Sequence, residues 1–196
     1  MRDTRFAKLL LVFNAAVPLA LLGWDAAHGN LGANPIEFVL RSTGTLALVF
    51  LILTLAVSPA RRLLGLLWLT KLRRALGLIS FAYACLHVSI YVVLDQGLNP
   101  LAIVGDALTR PFIFFGMAAF GFMVPLAWTS TDAAVRRMGK RWTLLHQKVV
   151  WIAVFAGVHY YLEVKADTAK PLVFIGLLAL LIFWRFVMRD VKPRPR

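Results

Sequence analysis

Apolar residues arrive in this chain in blocks that recur about every 30 positions, separated by short stretches rich in Arg, Lys, Asn and Pro. A helix rising about 1.5 Å per residue needs about 20 apolar residues to cross a hydrocarbon layer about 30 Å thick, and the blocks have that length. The pattern predicts an all-α integral membrane bundle of six transmembrane helices over residues 7–24, 40–57, 75–94, 111–128, 146–163 and 171–188. One membrane domain then covers 1–196, with no room for a separate soluble one.

The connections follow from the breaks. A basic head, Met1 to Lys8, precedes the first block, which reads as a helix rather than a signal peptide because no small-x-small cleavage site follows it. Residues 25–41, with Asn34-Pro35, read as a polar turn region, and Ser58-Pro59 reads as the end of helix two. Residues 58–74 set five basic residues around an apolar LLGLLWL patch, which fits an interfacial amphipathic segment or a solvated basic loop equally well. Residues 95–110 read as a loop, with Pro111 in the first turn of helix four, and 129–141 as a basic connection. Glu163 to Lys170 reads as a tight turn, and the tail RDVKPRPR as disordered.

Composition agrees with a bilayer setting: 60% of residues are hydrophobic and 16% charged, with a mean hydropathy of +0.76. The formal net charge of +13 is first a statement about topology. Eighteen of the 22 Lys and Arg residues fall on the side shared by the N-terminus, residues 58–74, residues 129–148 and the C-terminal end. Arg41, Arg110, Lys165 and Lys170 fall on the other, so the positive-inside rule puts both termini in the cytoplasm. Loops this short offer no folded basic surface for nucleic acid. No internal repeat, P-loop or GxGxxG motif is visible, and the lone Cys85 excludes an internal disulfide. Cys85-Leu86-His87 also lacks the spacing for covalent haem attachment.

Ionisable residues at membrane depth are functional candidates, and three of the four histidines lie there. His87 stands eight residues before Asp95, and His159 four before Glu163 and eight before Asp167. On helices three and five, both running outward, the two share a depth in the outer leaflet. Neutral imidazoles facing each other across a helical bundle suit axial ligation of one noncovalent haem iron. Ala84 and Ala156, three positions before each histidine, with Ser80 and Gly77, make a small-residue stripe that leaves room for a flat macrocycle or serves helix packing. Two buried histidines bonded to backbone are the plain alternative.

His146 lies near the cytoplasmic end of helix five, where the position of matching depth on helix three is Arg74, so the sequence supports no second histidine pair. Arg73, Arg74, Arg141 and Lys148 surround that rim. They can contact an anionic group, such as a flavin phosphate or haem propionates, or snorkel to lipid headgroups. His28, in a polar loop, reads as solvated.

The segments RRALGLISFAYACLHVSIY, RRMGKRWTLLHQKVVW and GVHYY, in that order, resemble the ferric-reductase-like transmembrane family over nearly the whole chain. The resemblance implies a bacterial inner-membrane subunit that holds haem b and passes electrons to a periplasmic molybdopterin partner repairing oxidised methionines. It places His87 and His159 at the haem-ligating positions and His146 at the third family histidine, with FMN and quinone as associated cofactors. Gln147, Lys148 and Val150 depart from the family pattern, which carries an Arg and a Tyr after the third histidine. No fused flavin domain is present, so electrons must come from a cytoplasmic flavin reductase or a membrane quinone. Two other readings stay open: a quinol-linked cytochrome b of another redox complex, and a transporter using the three histidines as a proton relay. The lack of an acidic residue at mid-membrane disfavours the transporter.

Overall fold

The computed structural model describes residues 4–164 and 168–188, and among them every regular element is helical. Five helices are long and apolar enough to cross a membrane, which makes this a multi-pass membrane protein. They are α1 (Thr4–Ala27), α2 (Pro35–Leu64), α3 (Arg73–Ile90, prolonged by a π-helical turn Tyr91–Asp95), α5 (Pro111–Trp128) and α9 (Ala169–Val187). A short α4 (Pro100–Thr109) precedes α5, and α6 (Asp132–Met138) and α7 (Lys140–Gln147) lead into α8 (Val149–Glu163). Lys165 and Asp167, and the tail expected to be disordered, lie outside the described residues.

Four expectations need correction. Helix two does not stop at Ser58-Pro59: α2 runs through Pro59 to Leu64 and ends where Gly65 takes a left-handed φ of 67°. Proline forfeits one backbone bond, which a membrane helix tolerates, while glycine adopts the terminating conformation without a Cβ clash. The 25–41 region is likewise helical from Pro35, because the Asn34 side chain accepts from the Glu37 backbone N–H at 3.3 Å and donates to the Glu37 carboxylate at 2.9 Å.

The 95–110 loop contains α4, capped by the Asn99 side chain accepting from Leu101 and Ala102 N–H, with Pro100 in the first turn. Leu101, Val104 and Leu108 point outward from α4, as on a helix lying in the membrane interface. The fourth correction concerns the stretch carrying His146 and His159, which is not one helix. At Lys148 the turn tightens, with Lys148 N–H bonding Leu145 and Trp151 N–H bonding Lys148, each three residues apart, so α7 and α8 are separate.

Two helix pairs make the body: α2 lies along α3, α5 lies along α8, and α9 closes against α8 and α2. Leu48, Leu51 and Leu55 of α2 meet Ile152 and Ala153 of α8 and Leu178 of α9 in one core. Lipid is as apolar as leucine, so close packing and interhelical hydrogen bonds hold such helices together. The fully buried Ser80 supplies one, donating to the Ala47 carbonyl at 2.8 Å, and the Tyr83 hydroxyl ties α3 to the Ala15 carbonyl of α1. Gly77 faces Thr54. Gly77 and Ser80 of the α3 stripe thus pack against α2, the helix-packing alternative, and do not open a slot beside His87.

Candidate haem site between two helix pairs

His87 on α3 and His159 on α8 face each other across the middle of the bundle, ring centroids 6.1 Å apart and planes at 80°. Each ring is fixed from behind. His87 Nδ1–H donates to the Leu40 carbonyl of α2 at 3.0 Å, and His159 Nδ1–H donates to the Phe112 carbonyl of α5 at 2.7 Å. With the proton held on Nδ1, the Nε2 lone pair of each ring is left for a ligand, the arrangement metal-binding histidines use.

Glycine makes this contact possible. A Cβ added at Gly44 would lie 3.0 Å from His87 Nδ1 and Cε1, and one at Gly116 would lie 2.8 Å from His159 Nδ1. Each glycine opens the helix wall so that the imidazole reaches the carbonyl one turn earlier. The two halves share a register: each histidine bonds a carbonyl 47 residues before it and lies against a glycine 43 residues before it. This correspondence is one of geometry at the two histidines and leaves the absence of a sequence repeat as it stood. The segments LRSTG and FIFFG share little beyond the glycine, which is why sequence comparison of the halves does not find it.

The residues fit a haem. Metal–nitrogen bonds of about 2 Å and ring radii of about 1 Å put two imidazoles on one iron about 6 Å apart, centroid to centroid. No group of three or more His, Cys, Asp or Glu side chains is placed to hold a metal among the described residues, so two histidines alone would leave a bare ion under-coordinated. A haem macrocycle, held between His87 and His159, would supply the remaining ligands. Near the pair, Arg41 of α2, next to Leu40, bridges Glu37 at 2.8 Å and Glu163 of α8, four residues after His159, at 3.0 Å.

His146 does not join the pair. It stacks on Trp142 at 3.8 Å between ring centroids, and its Nδ1–H donates to the Trp142 carbonyl at 3.1 Å. Trp142 is itself held by Nε1–H donation to Thr129 at 2.9 Å. The four basic residues expected around the inner rim divide. Arg73 and Lys148 line a cavity of about 580 Å³. Arg74 is instead paired with Asp132 at 2.5 Å, and that hydrogen bond, then the charge of Arg74, holds the Asp132 carboxyl below the usual range. Arg141 is exposed and does not line that cavity. His28 is exposed and stacked on Trp24, as a solvated loop residue would be.

A multi-pass helical bundle with two backbone-anchored histidines facing each other at mid-bundle defines a class of membrane cytochrome-like scaffolds. The chain belongs to the ferric reductase like transmembrane component family, matched over residues 43–157, and groups there with the MsrQ proteins. It is 45% identical over 186 residues to the protein-methionine-sulfoxide reductase heme-binding subunit MsrQ of Brucella anthropi, covering 92% of this chain and 84% of that one. The Brucella ovis protein of the same name is 44% identical over 196 residues, covering 96% and 88%. No solved structure matches the chain.

Proposed function

We propose that this chain is the haem b subunit of a methionine-sulfoxide reductase system, carrying electrons across the bacterial inner membrane to a periplasmic molybdopterin reductase, MsrP. The observation that carries the reading is the His87–His159 pair, 6.1 Å apart with both Nδ1 atoms bonded to backbone. The names of the similar Brucella proteins support it. Bound haem supplies one-electron redox chemistry at a potential set by its axial ligands and surroundings. The protein's part is to hold two neutral imidazoles in fixed tautomers, keep the site apolar and set its depth nearer the outer face. The chain is an electron-transfer subunit, with the catalytic step on its partner.

Both termini are cytoplasmic in this reading, on the 18 to 4 division of basic residues. A C-terminal fusion reporter that works only in the cytoplasm is expected to be active, and one inserted in residues 95–99 to behave as periplasmic. The reverse pattern would exchange entry and exit.

Electrons enter at the inner rim from a cytoplasmic flavin reductase or from membrane quinone. Thirteen residues separate His146 from His159, roughly 20 Å along the helices, which is long for one transfer step. FMN or quinone beside His146 serves as the intermediate carrier, held by basic residues of the inner rim such as Arg73 and Lys148. The outer face carries Asp25, Glu37, Asp95, Asp106, Glu163 and Asp167 against four bases, a surface for a soluble partner. In sealed vesicles of known orientation, a reductant confined to the cytoplasmic side is expected to reduce the haem, and external MsrP with a sulfoxide substrate to reoxidise it. Reduced haem that MsrP never reoxidises would end the methionine-repair assignment while leaving haem binding intact. Reduction equally fast after FMN and quinone are both extracted would remove the intermediate carrier.

A further inference from the structure

We propose that the cavity at the cytoplasmic ends of α2, α3, α8 and α9 is a binding site for the phosphate headgroup of an anionic phospholipid. Arg61 and Arg62 at the end of α2, Arg73 at the start of α3, Lys148 before α8 and Arg185 near the end of α9 all line it. These cations come from four elements distant in sequence, and no Asp or Glu lines the cavity among the described residues. Arg61, Arg62 and Lys148 are exposed and Arg73 is half-buried, and an anion seated among these four would offset their mutual repulsion.

Two buried N–H donors on lining residues, Arg73 Nε and Trp184 Nε1, have no hydrogen-bond partner among the described residues, while the other arm of Arg73 donates to Ser58. Buried donors are costly to leave unpaired, and phosphate oxygens are the acceptors that Arg recognises best. The remaining wall is apolar: Leu144, Trp151 and Phe186 are 63%, 56% and 56% exposed. A free phosphate has no use for such a wall, whereas a lipid seats its headgroup on the arginines and its acyl chains along these side chains. Basic pockets between transmembrane helices on the cytoplasmic side take anionic headgroups in this way.

The test uses the full-length, haem-loaded protein in dodecyl maltoside micelles containing equal amounts of phosphatidylglycerol and phosphatidylcholine. Native mass spectrometry then counts the lipid retained. Wild type is expected to keep phosphatidylglycerol over phosphatidylcholine by at least about tenfold, the scale that a few cations at a membrane surface produce. The Arg61→Gln/Arg73→Gln variant is expected to lose that preference, and Arg73→Lys alone to retain most of it. Arg136→Gln/Arg137→Gln, which removes two exposed α6 charges outside the cavity, is expected to keep it. The proposal fails if the α6 pair lowers retention as much as the cavity pair, because rim charge would then act diffusely. It also fails if Arg73→Lys falls as far as the glutamine variant, or if equimolar FMN or inorganic phosphate displaces the lipid.

Discussion

Alanine in place of either His87 or His159 is expected to remove most of the bound haem from the purified protein, by about tenfold or more for each. One axial bond is lost outright, and the partner histidine cannot be replaced locally, because no third His, Cys, Asp or Glu stands with the pair among the described residues. The backbone loses little: the Leu40 and Phe112 carbonyls sit within helices α2 and α5 and keep their helical bonds. Loss of haem with retained helical content is therefore the expected signature, read from the visible spectrum and far-UV circular dichroism. His146→Ala is expected to keep most of the haem and to slow its reduction from the cytoplasmic side. Full haem retention in His87→Ala together with haem loss in His146→Ala would show that the pairing is different.

The second large effect is expected at the two glycines. By helix propensity alone, Gly→Ala inside a helix is favourable by about 0.5–1 kcal/mol. At Gly116 packing reverses the sign, because the new methyl would stand 2.8 Å from His159 Nδ1, which the Phe112 carbonyl already holds at 2.7 Å. The ring cannot retreat without straining that bond, and its placement opposite His87 then changes. Gly116→Ala is expected to lose haem or shift its spectrum, with Gly44→Ala, at 3.0 Å, milder. Gly176→Ala on α9, where nothing lies within 4 Å, is the control and is expected to be neutral or slightly stabilising. Haem content and thermal midpoints of the three variants check the order. A Gly116→Ala protein with wild-type haem and a raised midpoint would mean that the glycine is there for no contact with the histidine.

The spans were legible because a bilayer demands long apolar runs, and the histidines because they interrupt those runs. The matched depth of His87 and His159 could be counted from Asp95 and Glu163. What the sequence concealed is what packing decides. Inside a membrane both the buried face and the lipid face of a helix are apolar, so no amphipathic period marks which side of α2 or α5 meets a histidine. Gly44 and Gly116 therefore look like any membrane glycine, and their shared 43-residue separation from a histidine is a signal only to a reader who already knows the pair matters. Asn99-Pro100 and Thr131-Asp132 look like loop punctuation but are the caps and first turns of α4 and α6, as their side-chain bonds show. The break at Lys148 has no glycine or proline to announce it.

Low-temperature electron paramagnetic resonance of the oxidised, haem-loaded protein tests the central assignment most directly. Two imidazoles with planes at 80° are predicted to give a low-spin ferric signal of the strongly anisotropic type that near-perpendicular axial rings produce, and His159→Ala should abolish it. A high-spin signal in the wild-type protein, or a low-spin signal unchanged in His159→Ala, would contradict haem ligation by this pair.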